Sequence, residues 1–281
     1  MYLPKRLAHL LFLCTLFCGL LAATGGAWAV ASPSDNPEDS AIWKKLRTSL
    51  FQTRPISLAA DDVIALEAPA RAEDAAVVPI AIRARILQTP ARYISKVYLL
   101  VDHNPSPIAA IFEFTPQSGR ADIETRIRVD DYSFMRAIAE TSDGQLFMTT
   151  RFIKSSGGCS APPGKDPQAA LSTLGRMKFK FDEAASPGQP VAAQLLISHP
   201  NASGLAMDQV SHLNVPAHYV RMVEVRLDGK PLMSADIDIA ISENPSFRFY
   251  FLPSGNGELQ AELTDSKDMH FTASERYRRA Q

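Results

Sequence analysis

Apolar and polar residues alternate with a period of two over most of this chain. The first run covers residues 77–86, where Val78, Ile80 and Ile82 alternate with small or charged neighbours. A period of two indicates a strand with one buried face. Similar runs, separated by turn-forming residues such as Ser142-Asp143-Gly144, predict further strands at residues 93–101, 108–114, 122–129, 134–140, 145–153, 178–181, 191–198, 219–227, 231–239, 247–251, 258–264 and 269–277.

These strands fall into two groups, called here the first half (residues 56–154) and the second half (residues 177–281). Many short strands at this spacing are typical of β-sandwiches. Each group has about 100 residues, which is enough for a hydrophobic core. The sequence therefore predicts an all-β protein with two immunoglobulin-like β-sandwich domains in tandem, joined by a Gly/Pro-rich linker at residues 155–176.

One segment before the strands has the period of a helix. Asn36 is a favourable N-cap residue and Pro37 a favourable first helical residue. The apolar residues that follow at helical spacing are Ile42, Trp43, Leu46 and Leu50. Residues 30–55 are interpreted as a tail and one short amphipathic helix that ends near Phe51. Its apolar stripe is expected to pack on the sandwich behind it, and a partner-binding helix is the alternative.

The first 29 residues have the layout of a secretory signal peptide. Lys5 and Arg6 precede an apolar run too short to span a membrane comfortably, and small residues follow, ending in Ala27-Trp28-Ala29. Cleavage after Ala29, or after Ala31, would export the remainder of the chain.

The three cysteines divide between this leader and the linker. Cys14 and Cys18 would be removed with the leader, so Cys159 would be the one thiol of the mature protein. An unpaired thiol is unusual in an oxidising compartment. Cys159 is therefore the first candidate for a functional group.

Cys159 lies in the sequence Ser155-Ser156-Gly157-Gly158-Cys159-Ser160-Ala161-Pro162-Pro163-Gly164. The glycines and prolines disfavour a regular helix or a central strand, which predicts a mobile, exposed connector that displays the thiol. A buried structural cysteine is the alternative. Because no histidine is near Cys159 in the chain, and because an ordinary thiol with a pKa of about 8.5 is mostly protonated at neutral pH, a thiol loaded by a partner is favoured over a catalytic nucleophile.

Composition and motifs exclude several other functions. The chain has 29 basic and 30 acidic residues, and this balance gives no indication of nucleic-acid binding. The sequence contains no haem-attachment motif, phosphate-binding glycine loop or nucleophile elbow, so no cofactor is expected.

The histidines and paired acids are weak candidates for chemistry. His199, His212 and His218 do not have the spacing of a compact zinc site, so structural or surface roles are expected and no metal is predicted. Asp61-Asp62 and Asp130-Asp131 are interpreted as solvated turn acids.

Several sequences resemble a known pair of families. Gly157-Gly158-Cys159 after a β-sandwich resembles the carboxyl terminus of SoxY, and the first half has further SoxY-like sequences in Val77-Val78-Pro79-Ile80, His103-Asn104-Pro105-Ser106-Pro107 and Thr125-Arg126-Ile127-Arg128. The second half resembles SoxZ in residues 196–200, 215–220, 228–230 and 242–245. The chain is thus similar to a fused SoxYZ carrier, of the type associated with quinoprotein (PQQ-dependent) alcohol dehydrogenase systems.

The resemblance implies a periplasmic protein without catalytic machinery of its own. It would hold a sulfur-containing intermediate covalently on Cys159 and present it to partner enzymes, including those of thiosulfate oxidation. Gly157, Gly158 and Ser160 would form a flexible arm, and the second half would serve as a docking and support module. The family's arm ends freely in Gly-Gly-Cys-Gly-Gly, whereas here Ser160 and Ala161 follow the cysteine and the chain continues, so the arm is tethered at both ends and its reach is shorter.

A non-catalytic periplasmic adaptor is the second hypothesis. In that function the two sandwiches would bind a quinoprotein dehydrogenase system, and Cys159 would be incidental. A thiol enzyme is the third, because it requires an oriented base that the neighbouring sequence does not supply.

Overall fold

The computed structural model describes residue 32 and residues 35–162, 171–182, 188–208 and 211–279. The predicted signal peptide and residues 163–170 of the predicted linker lie outside these ranges. A short 3-10 turn (Pro37–Asp39) and helix α1 (Ala41–Phe51) precede the strands. The strands are β1 (Ile56–Ser57), β2 (Ile64–Glu67), β3 (Val78–Ala84), β4 (Ile94–Val101), β5 (Ile108–Phe114), β6 (Ile123–Ile127), β7 (Ser133–Thr141), β8 (Leu146–Ile153), β9 (Met177–Phe181), β10 (Val191–Ile197), β11 (Val220–Leu227), β12 (Lys230–Ile237), β13 (Ser246–Phe251), β14 (Gly257–Asp265) and β15 (His270–Tyr277).

The all-β class predicted from the alternating pattern is confirmed. In β13 the alternation is complete, since Phe247, Phe249 and Phe251 are fully buried while Arg248 and Tyr250 face outwards. The predicted hairpin between β7 and β8 is present, where the backbone N–H of Gly144 donates to the carbonyl oxygen of Thr141 at 2.8 Å. Strands β1 and β2 were not predicted.

The strands form two sheets, and each sheet contains strands of both halves. The larger has the order β1-β8-β7-β4-β5-β12-β11-β14-β15, and the smaller β2-β3-β6-β13-β10-β9. In the larger sheet β5 and β12 pair antiparallel over five residues, from Ala110 opposite Ile237 to Phe114 opposite Met233. In the smaller sheet β6 meets β13 at one pair, Glu124 opposite Arg248. The two halves therefore share both sheets and one continuous hydrophobic core between them.

Helix α1 lies on the outer face of the larger sheet, as expected for its apolar stripe. Trp43 and Phe51 are about 1% exposed and pack with Tyr98 and Ile138 of the sheet. The predicted cap at Asn36 serves the 3-10 turn, where its side chain accepts from the N–H of Glu38. The α-helix itself begins later, because Ser40 interrupts the turn and caps α1 with its own side chain. Within the described residues, no helix has the length and apolar character needed to span a membrane.

A buried ion pair connects this N-terminal segment to the sheet. The fully buried guanidinium of Arg136 donates two hydrogen bonds to the Asp102 carboxylate, at 2.9 and 2.7 Å. It also donates to the carbonyl oxygen of Pro37 at 2.7 Å and lies over the Trp43 ring, 4.4 Å from its centroid. Because all donors of a buried guanidinium need partners, this cluster holds the start of the helical segment against β7.

Removing the carboxylate should be costly. We expect Asp102→Ala to lower the free energy of unfolding by about 3 kcal/mol, since it leaves the buried guanidinium of Arg136 with only the partly exposed carboxylate of Glu38, at 3.4 Å, as an acidic partner among the described residues. Urea denaturation followed by circular dichroism measures this. Asp268→Asn is the matched control, because the Arg221–Asp268 pair is largely exposed and should contribute little, and because Asn tolerates the φ of +58° at this position. Equal effects of the two substitutions would contradict this assignment.

Candidate functional site: the docked Cys159 segment

Cys159 is buried, contrary to the expectation of an exposed, mobile connector. It is 1% exposed and ends a short segment that follows β8. The backbone of this segment is bound to the chain just after β6. Gly158 donates its N–H to the carbonyl oxygen of Val129 at 3.0 Å, and Gly157 donates to that of Asp130 at 2.7 Å. The N–H of Cys159 donates to Oδ1 of Asp130 at 3.1 Å.

The two glycines of the segment do not serve as the flexible arm that the sequence predicts. A Cβ atom on Gly158 would lie 2.1 Å from the carbonyl oxygen of Ala75 and 2.6 Å from that of Val129. Gly158 is therefore required for close approach of two backbones. Gly157 has a φ of +77° with open space around it, so it provides a left-handed turn. Ser160, also predicted to lie in the arm, donates its hydroxyl to the carbonyl oxygen of Gly157 at 3.4 Å.

The second half of the chain completes the site. Ser203, in the segment between β10 and β11, donates its hydroxyl to the carbonyl oxygen of Cys159 at 2.5 Å. Nearby, Asn201 fixes this segment, since its side chain donates to the carbonyl oxygen of Ile241 at 2.8 Å and accepts the N–H of Val220 at 2.9 Å. Cys159 is thus held between residues of both halves, and we call the four hydrogen bonds to Val129, Asp130 and Ser203 the clasp.

Two charged residues, Arg128 and Asp130, and the side-chain amide of Asn104 lie beside the clasp. Asn104 donates to the carbonyl oxygen of Arg128 at 2.8 Å and accepts the N–H of Asp130 at 2.9 Å, which fixes the chain that carries both charges. Sequence reasoning missed Ser203, and it interpreted Asp130 as a solvated turn acid. The sequences around Asn104 and Arg128 were the available signals, because both were among those that resembled a family.

The surroundings keep the docked sulfur protonated. Burial raises the pKa of the Cys159 thiol to about 12, with a further contribution from the negative charge of Asp130, while the positive charge of Arg128 acts in the opposite direction. The reactive form of a cysteine is its thiolate. The docked position therefore protects Cys159 from reaction.

A second buried cluster, formed by His199, His218 and Asp265, stabilises the segment that carries Ser203. His218 Nε2 lies 2.8 Å from Oδ2 of Asp265, and His199 Nε2 lies 3.5 Å from the same oxygen. Burial alone would raise the pKa of Asp265, but hydrogen bonds from His218 and from backbone N–H groups outweigh it and hold that pKa below its usual value. His212, the third histidine of this region, is exposed.

The hydrogen bonds of His199 argue against a metal at this cluster. The potential ligand atoms lie within 4.8 Å of one another. However, Nδ1 of His199 accepts the N–H of Asn201 at 3.0 Å, which assigns the proton of the neutral ring to Nε2. A neutral imidazole that binds a metal through Nε2 carries its proton on Nδ1 instead. His199 is therefore better explained as a buried hydrogen-bonding residue.

Two family models match the chain in succession. The model described as "Sulfur oxidation protein SoxY" matches residues 47–159 and so ends at Cys159. The model described as "Sulphur oxidation protein SoxZ" matches residues 177–276. No curated protein sequence is significantly similar to this chain.

Solved structures give weaker similarities. The chain is 22% identical to the sulfur carrier protein SoxY from Chlorobium limicola f thiosulfatophilum, over 39% of this chain and 88% of that one, with a TM-score of 0.33. It is 12% identical to the fibronectin(III)-like modules of Clostridium thermocellum CbhA, over 77% of this chain and 94% of that one, with a TM-score of 0.23.

The two glycines allow a direct test of the clasp. We expect Gly158→Ala to increase the rate of Cys159 alkylation at least about tenfold, because a loss of about 1.4 kcal/mol in docking changes the fraction of open molecules by that factor. Gly157→Ala, whose Cβ meets no atom, strains only the left-handed turn and should give a smaller increase. Ser156→Ala, at an exposed position of the same segment, is the matched control and should leave the rate unchanged. Alkylation by iodoacetamide can be followed by intact mass. Equal rates in the parent and Gly158→Ala would mean that the segment is not docked in solution.

The buried histidine predicts a pH dependence of stability. Burial, with a smaller contribution from His218, lowers the pKa of His199 to about 4 from its ordinary 6.5. The unfolded chain then binds more protons than the folded one between these values, so the free energy of unfolding should fall as pH is lowered from 6.5 to 4, by up to about 1.4 kcal/mol per pH unit. Urea denaturation at a series of pH values should show a smaller slope for His199→Asn and an unchanged slope for His212→Asn. An unchanged slope for His199→Asn would contradict the assignment.

Proposed function

We propose that this chain, a SoxY domain fused to a SoxZ domain, is a covalent carrier of a sulfur-containing group on Cys159. In this proposal the carrier has no catalytic machinery of its own and presents the group to partner enzymes of sulfur oxidation. The predicted signal peptide supports a periplasmic location. The observation that carries the proposal is the clasp, in which residues of both domains hold and shield a single thiol at the end of the SoxY match.

The contacts of Cys159 favour a carrier over a thiol enzyme. A catalytic cysteine needs a base within hydrogen-bond reach of its sulfur. Among the described residues, Asp130 bonds to the backbone N–H of Cys159, and its charge raises the thiol pKa. The buried histidines of the second half, His199 and His218, are directed towards Asp265. The docked thiol is therefore shielded from reaction, and none of the described residues is placed to act as its base.

Loading requires the clasp to open. A docked cysteine that is 1% exposed leaves no path for a partner to its sulfur. Each clasp hydrogen bond contributes about 1 kcal/mol net, so opening costs a few kcal/mol and is accessible at ordinary temperatures. Release into water would return the thiol pKa towards about 8.5. Exposure and reactivity would thus increase together, at the point where a partner binds.

In the adaptor hypothesis, the same fold would serve a different function. If the protein serves a quinoprotein dehydrogenase system as an adaptor, binding would depend on its surfaces and the thiol would be dispensable. The docking of Cys159 by four hydrogen bonds favours a functional thiol, because an incidental cysteine needs no glycine-dependent clasp.

Intact-protein mass spectrometry without reductant tests the carrier function. Material purified from its native cells should contain a mass increment equal to added sulfur or a sulfur oxyanion, and thiol reductant should remove it. Cys159→Ser should fold normally and lack this increment, while Ser156→Ala, in the same segment, should retain it. A bare thiol in cells that are oxidising sulfur compounds would refute the carrier function and favour the adaptor.

A further inference from the structure

Strand β15 forms an open edge of the larger sheet. Each sheet has two edge strands, and in the described part of the chain the other three are short or carry exposed lysines. β1 has two residues, β2 has four, and β9 has five, of which Lys178 and Lys180 are exposed. β15 has eight residues, contains no proline, and pairs with β14 along its whole length without a bulge. A long, regular edge without these protections is a template for pairing with another strand.

The register with β14 identifies the unpaired backbone groups of this edge. The N–H of Asp265 donates to the carbonyl oxygen of Met269 at 3.1 Å, and hydrogen-bonded pairs recur at every second residue along an antiparallel ladder. The odd-numbered residues of β15 therefore bond to β14. The even-numbered residues direct their N–H and C=O groups to the free edge, and they are His270, Thr272, Ser274 and Arg276. None of these backbone groups has a hydrogen-bond partner among the described residues.

The strand is accessible and is held in its extended conformation by the core. All four of the even-numbered residues are exposed. On the opposite face of the strand, Phe271 packs partly buried against the core and Tyr277 is 3% exposed. A strand that is already fixed in this way loses little conformational freedom when it pairs. The central residues 271–274 carry no charge that would repel another strand.

We propose that a second copy of this chain covers this edge, through antiparallel pairing of the two β15 strands about a two-fold axis at Ser274. The free N–H and C=O groups are satisfied together only by another extended backbone, so the occupant is a strand. β15 is complementary to itself, because Ser274 would exchange both hydrogen bonds with Ser274 of the partner subunit, and Thr272 with Arg276 of the partner subunit. A two-fold pairing covers both open edges at once, whereas a head-to-tail pairing leaves one of them free.

The charges of β15 select this register. With the axis at Ser274, Glu275 lies opposite Ala273 of the partner subunit, and no like charges face each other. An axis one residue later would place the two Glu275 carboxylates opposite each other, which is destabilising. An axis one residue earlier would place Arg276 opposite His270 of the partner subunit, so two basic side chains would meet. The register centred on Ser274 is therefore the one that pairs the strand without repulsion.

Disulfide cross-linking tests the register. The experiment uses the full chain with Cys14→Ser, Cys18→Ser and Cys159→Ser, so that an introduced cysteine is the only thiol. Residues of a hydrogen-bonded pair in an antiparallel ladder have Cα atoms about 5.5 Å apart, which suits a disulfide. Diamide, which oxidises two thiols to one disulfide, should therefore convert most of the Ser274→Cys protein to a covalent dimer on a non-reducing gel. Glu262→Cys, exposed on the same face of β14, is the matched control and should stay monomeric on that gel.

A proline at the axis tests the backbone hydrogen bonds. Because the N–H of Ser274 points away from β14, Ser274→Pro removes a free donor and leaves the pairing of β14 with β15 intact. We expect Ser274→Pro to raise the dissociation constant of the dimer at least about tenfold, since two symmetry-related hydrogen bonds are lost. Analytical ultracentrifugation measures this constant. Ser274→Ala keeps the N–H and should have the parental value.

Two results would overturn the inference: a parent protein that sediments as a monomer throughout the micromolar range, or a Ser274→Cys protein that cross-links no faster than Glu262→Cys. If Ser274→Pro does not fold, the cross-linking still decides. This interface goes beyond the proposed carrier function and does not depend on it, since Cys159 is replaced in every cross-linking protein.

Discussion

The antiparallel pairing of β5 with β12 is the contact on which the rest of the structure depends. It continues the larger sheet from the first half of the chain into the second half, with Phe112 opposite Ala235 and Phe114 opposite Met233. Because successive side chains on a strand face opposite sides, this register decides which residues of both domains enter the shared core. A shift by one residue would turn these side chains outwards. With the register fixed, Ser203 of one domain can contact Cys159 of the other.

Fusion changes what the cysteine segment can do. A segment that ends freely can move as a whole, whereas this one continues from Cys159 into the next domain. Its two glycines are explained by docking, since Gly158 allows contact with the backbone of Ala75 and Gly157 provides the turn before it. Motion between partners would then consist of opening and closing a short clasp. The stability of the closed clasp depends on both halves of the chain, because each half contributes hydrogen-bond donors or acceptors to it.

Strand positions could be predicted from the sequence because one-sided burial imposes a period of two. The pattern located β5 to the residue and most other strands within one or two residues of their ends. It did not reveal β1, which has only two residues and therefore no period. It also did not reveal that β5 pairs with β12, and β6 with β13, between the two halves of the chain. The local composition around Cys159 correctly indicated a loop. Its burial could not be predicted, because the groups that contact its segment, at Ala75, Asp130 and Ser203, are distant in sequence.

The energies of docking and of ionisation at Cys159 are similar, and this links the position of the thiol to its reactivity. Burial and, to a smaller extent, the charge of Asp130 raise the thiol pKa to about 12, which corresponds to a free energy on the order of 4–5 kcal/mol against the docked thiolate. Four clasp hydrogen bonds at about 1 kcal/mol each give a docking energy of the same order. A thiolate therefore gains little free energy by remaining docked, whereas a neutral thiol keeps the full docking energy. The clasp should stay closed while the sulfur of Cys159 is protonated, and the loss of that proton should favour release of the thiolate from the clasp.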